Sequence, residues 1–155
     1  MVPRLVTHDG ATVIGIAVVT SNTAEADPAK GRIPGLWTRF YKEDVLGKIP
    51  GKKTPVVPLG VYTNYEGDHT EQYQLLVGTA VDAAASTPDG MARATIPTGP
   101  YLLFEAEGDM PGVVIDTWKE VWSYFAEPSD HVRAYATDFE TYPGQRAIGI
   151  YVSVR

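Results

Sequence analysis

Two cycles of hydrophobic patterning run along the chain, each passing from a β-rich run to an amphipathic stretch and then to a pair of alternating runs. "TVIGIAVVT" (12–20) is dense in Val, Ile and Thr and ends at the polar "SNTAEAD", which predicts a strand. "PGLWTRFYKEDVLGKI" (34–49) repeats Leu36/Trp37, Phe40/Tyr41, Val45 and Ile49 at helical spacing, with Pro34 suited to a first turn. Pro50, Gly51 and Pro55 then stop that helix. "VPLGVYTNYE" (57–66) and "QYQLLVGTAV" (72–81) flank the polar turn "GDHTE" and predict a hairpin.

The second cycle follows the loop "DAAASTPDG". "MARATIP" (91–97) and "PYLLFEAEG" (100–108) predict strands. "PGVVIDTWKEVWSYF" (111–125) predicts a helix whose stripe is Val114, Trp118, Val121/Trp122 and Phe125. "TDFETY" (137–142) and "AIGIYVSV" (147–154) predict a closing hairpin around Pro143–Gly144. Short echoes join the cycles, because Tyr65–Glu66 and Phe139–Glu140 both place an aromatic–Glu pair on the first hairpin run. The expected architecture is α+β: one domain over 1–155, built as tandem β-α-β-β modules at about 12–82 and 91–155. A pseudo-twofold axis would relate the modules around a central cleft.

Composition narrows the function classes. With 44% hydrophobic and 21% charged residues the chain is globular, and no apolar run approaches the ~20 residues of a membrane span. Thirteen basic against nineteen acidic residues give a net charge of −6. The lone basic cluster, Lys48, Lys52 and Lys53, lies in a Pro/Gly-rich connection, so direct nucleic-acid binding is not expected. There is no cysteine, hence no disulfide framework or thiolate site, and nothing directs export, so a cytoplasmic location is expected. No Gly-rich phosphate loop, dinucleotide fingerprint or Gly-x-Ser-x-Gly elbow is present, and no cofactor is expected. "EGDHTE" gathers acids and His69 but lacks calcium-loop or zinc spacing, and reads as a solvated turn rather than a metal site.

The candidate chemistry is a carboxylate among aromatics. Alternation puts Asp138, Glu140 and Tyr142 on one face of their strand, leaving open whether that face meets water or a pocket. If it is buried, Glu140 needs hydrogen bonds or a cation, and can pair with a positive ligand or act as an acid/base. Tyr62 and Glu66 are its first-module counterparts. Trp37, Trp118 and Trp122 on the helices, with Tyr101 and Phe104 on the strand before the second helix, are candidate walls for an organic cation.

Taken in order, "GLWTRF", "GVYTNYEGD", "YQLLVG", "IPTGPYLLFEAEG", "TWKEVW", "DFETY" and "IGIYVSV" resemble the GyrI-like, or bacterial transcription-activator effector-binding, superfamily from about Val13 to Val154. The resemblance implies paired β-α-β-β modules around a ligand cleft and, in many members, binding of hydrophobic, often cationic, drugs. It also implies that Glu140 is the acid at the cleft base and Tyr142 the aromatic two residues on. No helix-turn-helix precedes the first strand, so the resemblance implies a stand-alone member. Such members include drug binders, inhibitors of DNA gyrase, and hydrolases of strained cyclopropane-bearing toxins, and fold alone does not choose between these roles.

Overall fold

A computed structural model describes residues 2–155. Eight strands form one antiparallel sheet in the order β1-β6-β8-β7-β3-β4-β2-β5. They are β1 (Arg4–His8), β2 (Ala11–Thr20), β3 (Leu59–Thr63), β4 (Tyr73–Val81), β5 (Ala92–Ile96), β6 (Gly99–Glu107), β7 (Asp138–Gly144) and β8 (Ala147–Ser153). Helices α1 (Asn22–Glu25), α2 (Ile33–Lys42) and α3 (Val45–Lys48) lie between β2 and β3, and α4 (Gly112–Ala126) lies between β6 and β7.

This is the α+β class and the doubled order that the hydrophobic pattern predicts. Each module arranges its strands alike, as β2-β4-β3 and β6-β8-β7, and the modules join where β3 pairs with β7. The strands that precede each module are exchanged. β1 pairs with β6 of the second module, while β5 pairs with β2 of the first. The exchange ties the halves together at both sheet edges.

Local chemistry explains where the helices differ from expectation. The predicted helix over 34–49 is two pieces, because Asp44 takes a left-handed backbone (φ 48°) and its carboxylate accepts from Gly47 N at 3.3 Å to start α3. At the start of α2, the Glu25 carboxylate accepts from the backbone N–H of Arg32 (2.7 Å) and Ile33 (3.0 Å), a negative charge at the positive end of the helix. In α4 the buried line is Val113, Thr117 and Val121, about one position round from the predicted stripe. Thr117 is tolerated there because its hydroxyl donates to the Val113 carbonyl at 2.6 Å. The rotation moves Trp118 to the flank of α4 and leaves Trp122 at the rim, 37% exposed.

α2 packs on β2 and β4, and α4 on β6 and β8, so the gap between the helices runs over the central pair β3–β7. Strand registers place Phe104, Ile150, Glu140, Gly60, Val77 and Ile16 in one row across six strands. Phe104 and Ile150 belong to the core beneath α4, Val77 and Ile16 to the core beneath α2. Glu140 stands between the two cores. On the other face, Phe139, Val61 and Leu76 build a third core with Tyr101, Ala94 and Ile96.

Candidate functional site

Alternation along β7 sends Phe139 to the face away from the helices and Asp138, Glu140 and Tyr142 towards them. Glu140 is 1% exposed. Oε1 accepts from the Tyr142 hydroxyl at 2.7 Å, and Oε2 accepts from Trp118 Nε1 at 3.0 Å and the Tyr62 hydroxyl at 3.2 Å. All three donors are uncharged. Burial raises the Glu140 pKa above the ordinary carboxylate range, and these three hydrogen bonds offset only part of that rise. The phenols of Tyr62 and Tyr142 are pushed well up, first by burial and then by the charge of Glu140, so both remain donors.

Gly60, opposite Glu140 on β3, makes room for this side chain. A Cβ at Gly60 would lie 2.8 Å from Oε1 and 3.0 Å from Cγ of Glu140. Gly60→Ala is therefore expected to cost about 1–3 kcal/mol as overpacking. The cost should shrink in a Glu140→Ala background. Urea midpoints of the four proteins measure this, and equal costs in both backgrounds would separate the two positions.

Rings close the site. Trp37 meets Tyr142 edge-on at 5.1 Å and stacks with Tyr41 at 6.0 Å, while Trp118 meets Tyr62 edge-on at 5.1 Å and lies 6.5 Å from Trp122. Each helix thus offers one inner ring and one rim ring, with Tyr41 63% and Trp122 37% exposed. The roof over Glu140 is made of side chains that fill the place where the sequence predicts a central cleft. Two cavities lie away from it. One, of about 400 Å³, borders the end of α4, and another, of about 180 Å³, opens on the far sheet face beside His8 and Phe139. The carboxylate lines neither cavity, and a buried acid with no countercharge among the described residues is the costly feature here.

Of the predicted residues, Glu140, Tyr142, Tyr62, Trp37, Trp118 and Trp122 come together here. Glu66, Tyr101 and Phe104 do not. Asn64 adopts a left-handed backbone (φ 55°) just past the end of β3, which breaks the alternation and leaves Glu66 exposed in the turn. Tyr65 turns inward instead. Tyr101 lies on the opposite face, its hydroxyl donating to the Pro97 carbonyl at 2.7 Å. Phe104 shares the row of Glu140 but packs under α4 against Tyr124 at 5.8 Å.

Sequence reasoning missed an adjoining buried network. Asp138 is fully buried; its Oδ2 accepts from Arg133 Nη2 at 2.9 Å and the Tyr65 hydroxyl at 2.6 Å. Its Oδ1 accepts from the backbone N–H and hydroxyl of Ser153 at 2.8 and 3.0 Å. Arg133 comes from a segment that reads as a plain connection. It neutralises Asp138, and among the described residues Glu140 has no cation. Signals existed for two of the missed residues, since Asp138 shares the strand face of Glu140 and a glycine inside a strand, Gly60, marks close approach.

The doubled antiparallel sheet is that of an effector-binding domain of the GyrI-like class. The model of the Cass2 family, integron-associated effector binding proteins, matches residues 4–154, and the chain belongs to that family. It is similar to the Vibrio cholerae integron cassette protein VCH_CASS2, with 34% identity, a TM-score of 0.82, and 99% of this chain and 95% of that one covered. The structure of SAV2435 bound to tetraphenylphosphonium has the same fold, with a TM-score of 0.80 at 23% identity over 100% of this chain and 94% of that one. YobU of Bacillus subtilis (strain 168), whose name carries a provisional assignment as a transcriptional regulator, is 28% identical over 91% of this chain and 90% of its own length. Among the described residues no helix is long and apolar enough to cross a membrane.

Proposed function

We propose that this protein binds a hydrophobic organic cation between α2 and α4, with Glu140 as the countercharge. The observation that carries the reading is a carboxylate, 1% exposed, held by a tryptophan and two tyrosines and, among the described residues, by no positive group. A cation placed there recovers Coulomb energy that neutral donors do not supply, and the rings around it add cation–π attraction. Admission of the ligand requires Trp37, Trp118 and Tyr142 to part, which moves side chains without unpairing the sheet. The tetraphenylphosphonium bound by SAV2435, a protein of the same fold, belongs to this chemical class.

The sign of the pH dependence follows from the raised pKa. The ligand requires the ionised carboxylate, while burial favours the protonated one. Affinity for tetraphenylphosphonium is therefore expected to be greatest at alkaline pH and to fall as pH drops through the Glu140 pKa, with a proton released on binding. Calorimetric titration from about pH 9 to about pH 4, in buffers of different ionisation enthalpy, spans the carboxylate range and the region above it and measures both effects. A flat profile with no proton release contradicts the assignment of Glu140, and recovery of a chemically altered ligand would move the reading to hydrolysis.

A further inference from the structure

The groove beside the end of α4 is not used by the reading above. Its volume is about 400 Å³, within the range of small-molecule sites, and its lining includes Phe125, His131, Arg133, Tyr135 and Arg155. Arg133 is unusual within it. Its side chain is 5% exposed, and its hydrogen bonds to Asp138 and Tyr65 both come from Nη2. Among the described residues the Nε–H is buried without an acceptor. Such an orphan is costly in a protein interior, and the geometry of guanidinium suits a carboxylate. Tyr135 lies over the group, 4.4 Å from ring centroid to Cζ, and holds a left-handed backbone (φ 52°), which is uncommon for an aromatic residue. Arg155 and His131 add positive or donor groups to the same groove, against the acidic Glu127 in its lining.

Arg133, which lines this groove, also neighbours the Glu140 site through Trp118. Trp118 donates to Glu140 through Nε1, and its ring centroid lies 5.9 Å from the Arg133 guanidinium. A ligand whose cationic end meets Glu140 therefore needs only to pass the Trp118 ring to bring a second group to Arg133. From this geometry we infer that the effector class is zwitterionic: an organic cation carrying a carboxylate on a short arm, the cation at Glu140 and the carboxylate at Arg133, with Tyr135 as the ring that moves aside. The inference rests on the cation reading of Glu140 and adds the recognition of a negative group. Arg133 already faces Asp138, so the added positive charge for the ligand carboxylate comes from Arg155, while the Arg133 Nε–H supplies a donor.

Two phosphonium ions separate the claims. (4-Carboxybutyl)triphenylphosphonium and butyltriphenylphosphonium share the cation and differ in the carboxylate, and both are titrated into the full chain at about pH 8, above the carboxylate range. The carboxylate form is expected to bind about tenfold tighter or better, the usual worth of a charge-assisted hydrogen bond. Its methyl ester should lose most of that gain. Arg133→Lys keeps a cation for Asp138 but removes the Nε donor, and should bring the acid down to the affinity of the butyl compound. Should that variant fail to fold, Arg155→Gln is used, with a partial loss of the gain expected. Equal binding of acid and butyl compound to wild type overturns this inference and leaves the cation site standing, as does a gain that survives both substitutions. Binding of neither compound overturns both readings.

Discussion

Glu140→Gln is expected to weaken tetraphenylphosphonium binding by about thirtyfold or more, because removing one member of a desolvated charge pair costs about 2–5 kcal/mol. The same substitution should stabilise the unliganded protein at alkaline pH. A carboxyl whose folded-state pKa is raised contributes stability that is present below its unfolded pKa and lost as pH rises through the folded value. Glutamine never ionises, so it escapes that loss. Thermal melts should place the variant above wild type at pH 8 (about four units above the free glutamate pKa), with the gap closing in acid. Better unliganded stability together with poorer binding is the signature of a group kept for a ligand. A variant that melts lower at every pH while binding the cation undiminished would make Glu140 a structural acid.

Asp138→Ala carries the largest expected effect on stability. It strands the Arg133 guanidinium in the interior and removes the acceptor for Tyr65 and Ser153. Breaking such a pair from one side costs about 3–5 kcal/mol. For a chain of this size that lowers the melting temperature by on the order of 10 °C. Replacing both partners, as Arg133→Met with Asp138→Leu, should recover much of the loss, because a buried pair and an apolar pair of similar volume are often near equal. Scanning calorimetry of the single and double variants decides it. A double variant no better than the single would mean that the Ser153 and Tyr65 contacts, rather than the stranded charge, dominate.

The two carboxylates sit two residues apart on one strand face and have opposite surroundings. Asp138 has an arginine, two hydroxyls and a backbone N–H. Glu140 has three uncharged donors. The tightly satisfied acid anchors the last hairpin to the 133–135 segment, and the under-compensated one is the group that the proposed cation would meet.

The order of elements was legible because strand and helix periods differ so plainly in "TVIGIAVVT", "TWKEVW" and "IGIYVSV". β1 escaped notice because its pattern, "RLVTH", is short and lies on a half-exposed edge, and α1 because it is a single turn. The break between α2 and α3 depends on the left-handed Asp44, which a helical count of apolar residues does not register. Alternation grouped Asp138, Glu140 and Tyr142 correctly but says nothing about which group meets the core. Their direction was set by the pairing of β7 with β3 across the modules, a contact between residues about 80 apart in sequence, as the register Gly60↔Glu140 shows. For Glu66, one positive φ at Asn64 shifted the inward position by a residue, from the acid to Tyr65. Arg133 gave no signal at all, since a single basic residue in a connecting segment looks the same whether it meets water or a buried aspartate.

A crystal structure of the complex with tetraphenylphosphonium examines the central claim most directly. The cation should lie above the Glu140 carboxylate with the rings of Trp37, Trp118 and Tyr142 swung apart around it, each within about 6 Å of the charged centre. A cation lodged on the far sheet face beside His8 and Phe139, with the three hydrogen bonds to Glu140 unchanged, would contradict it.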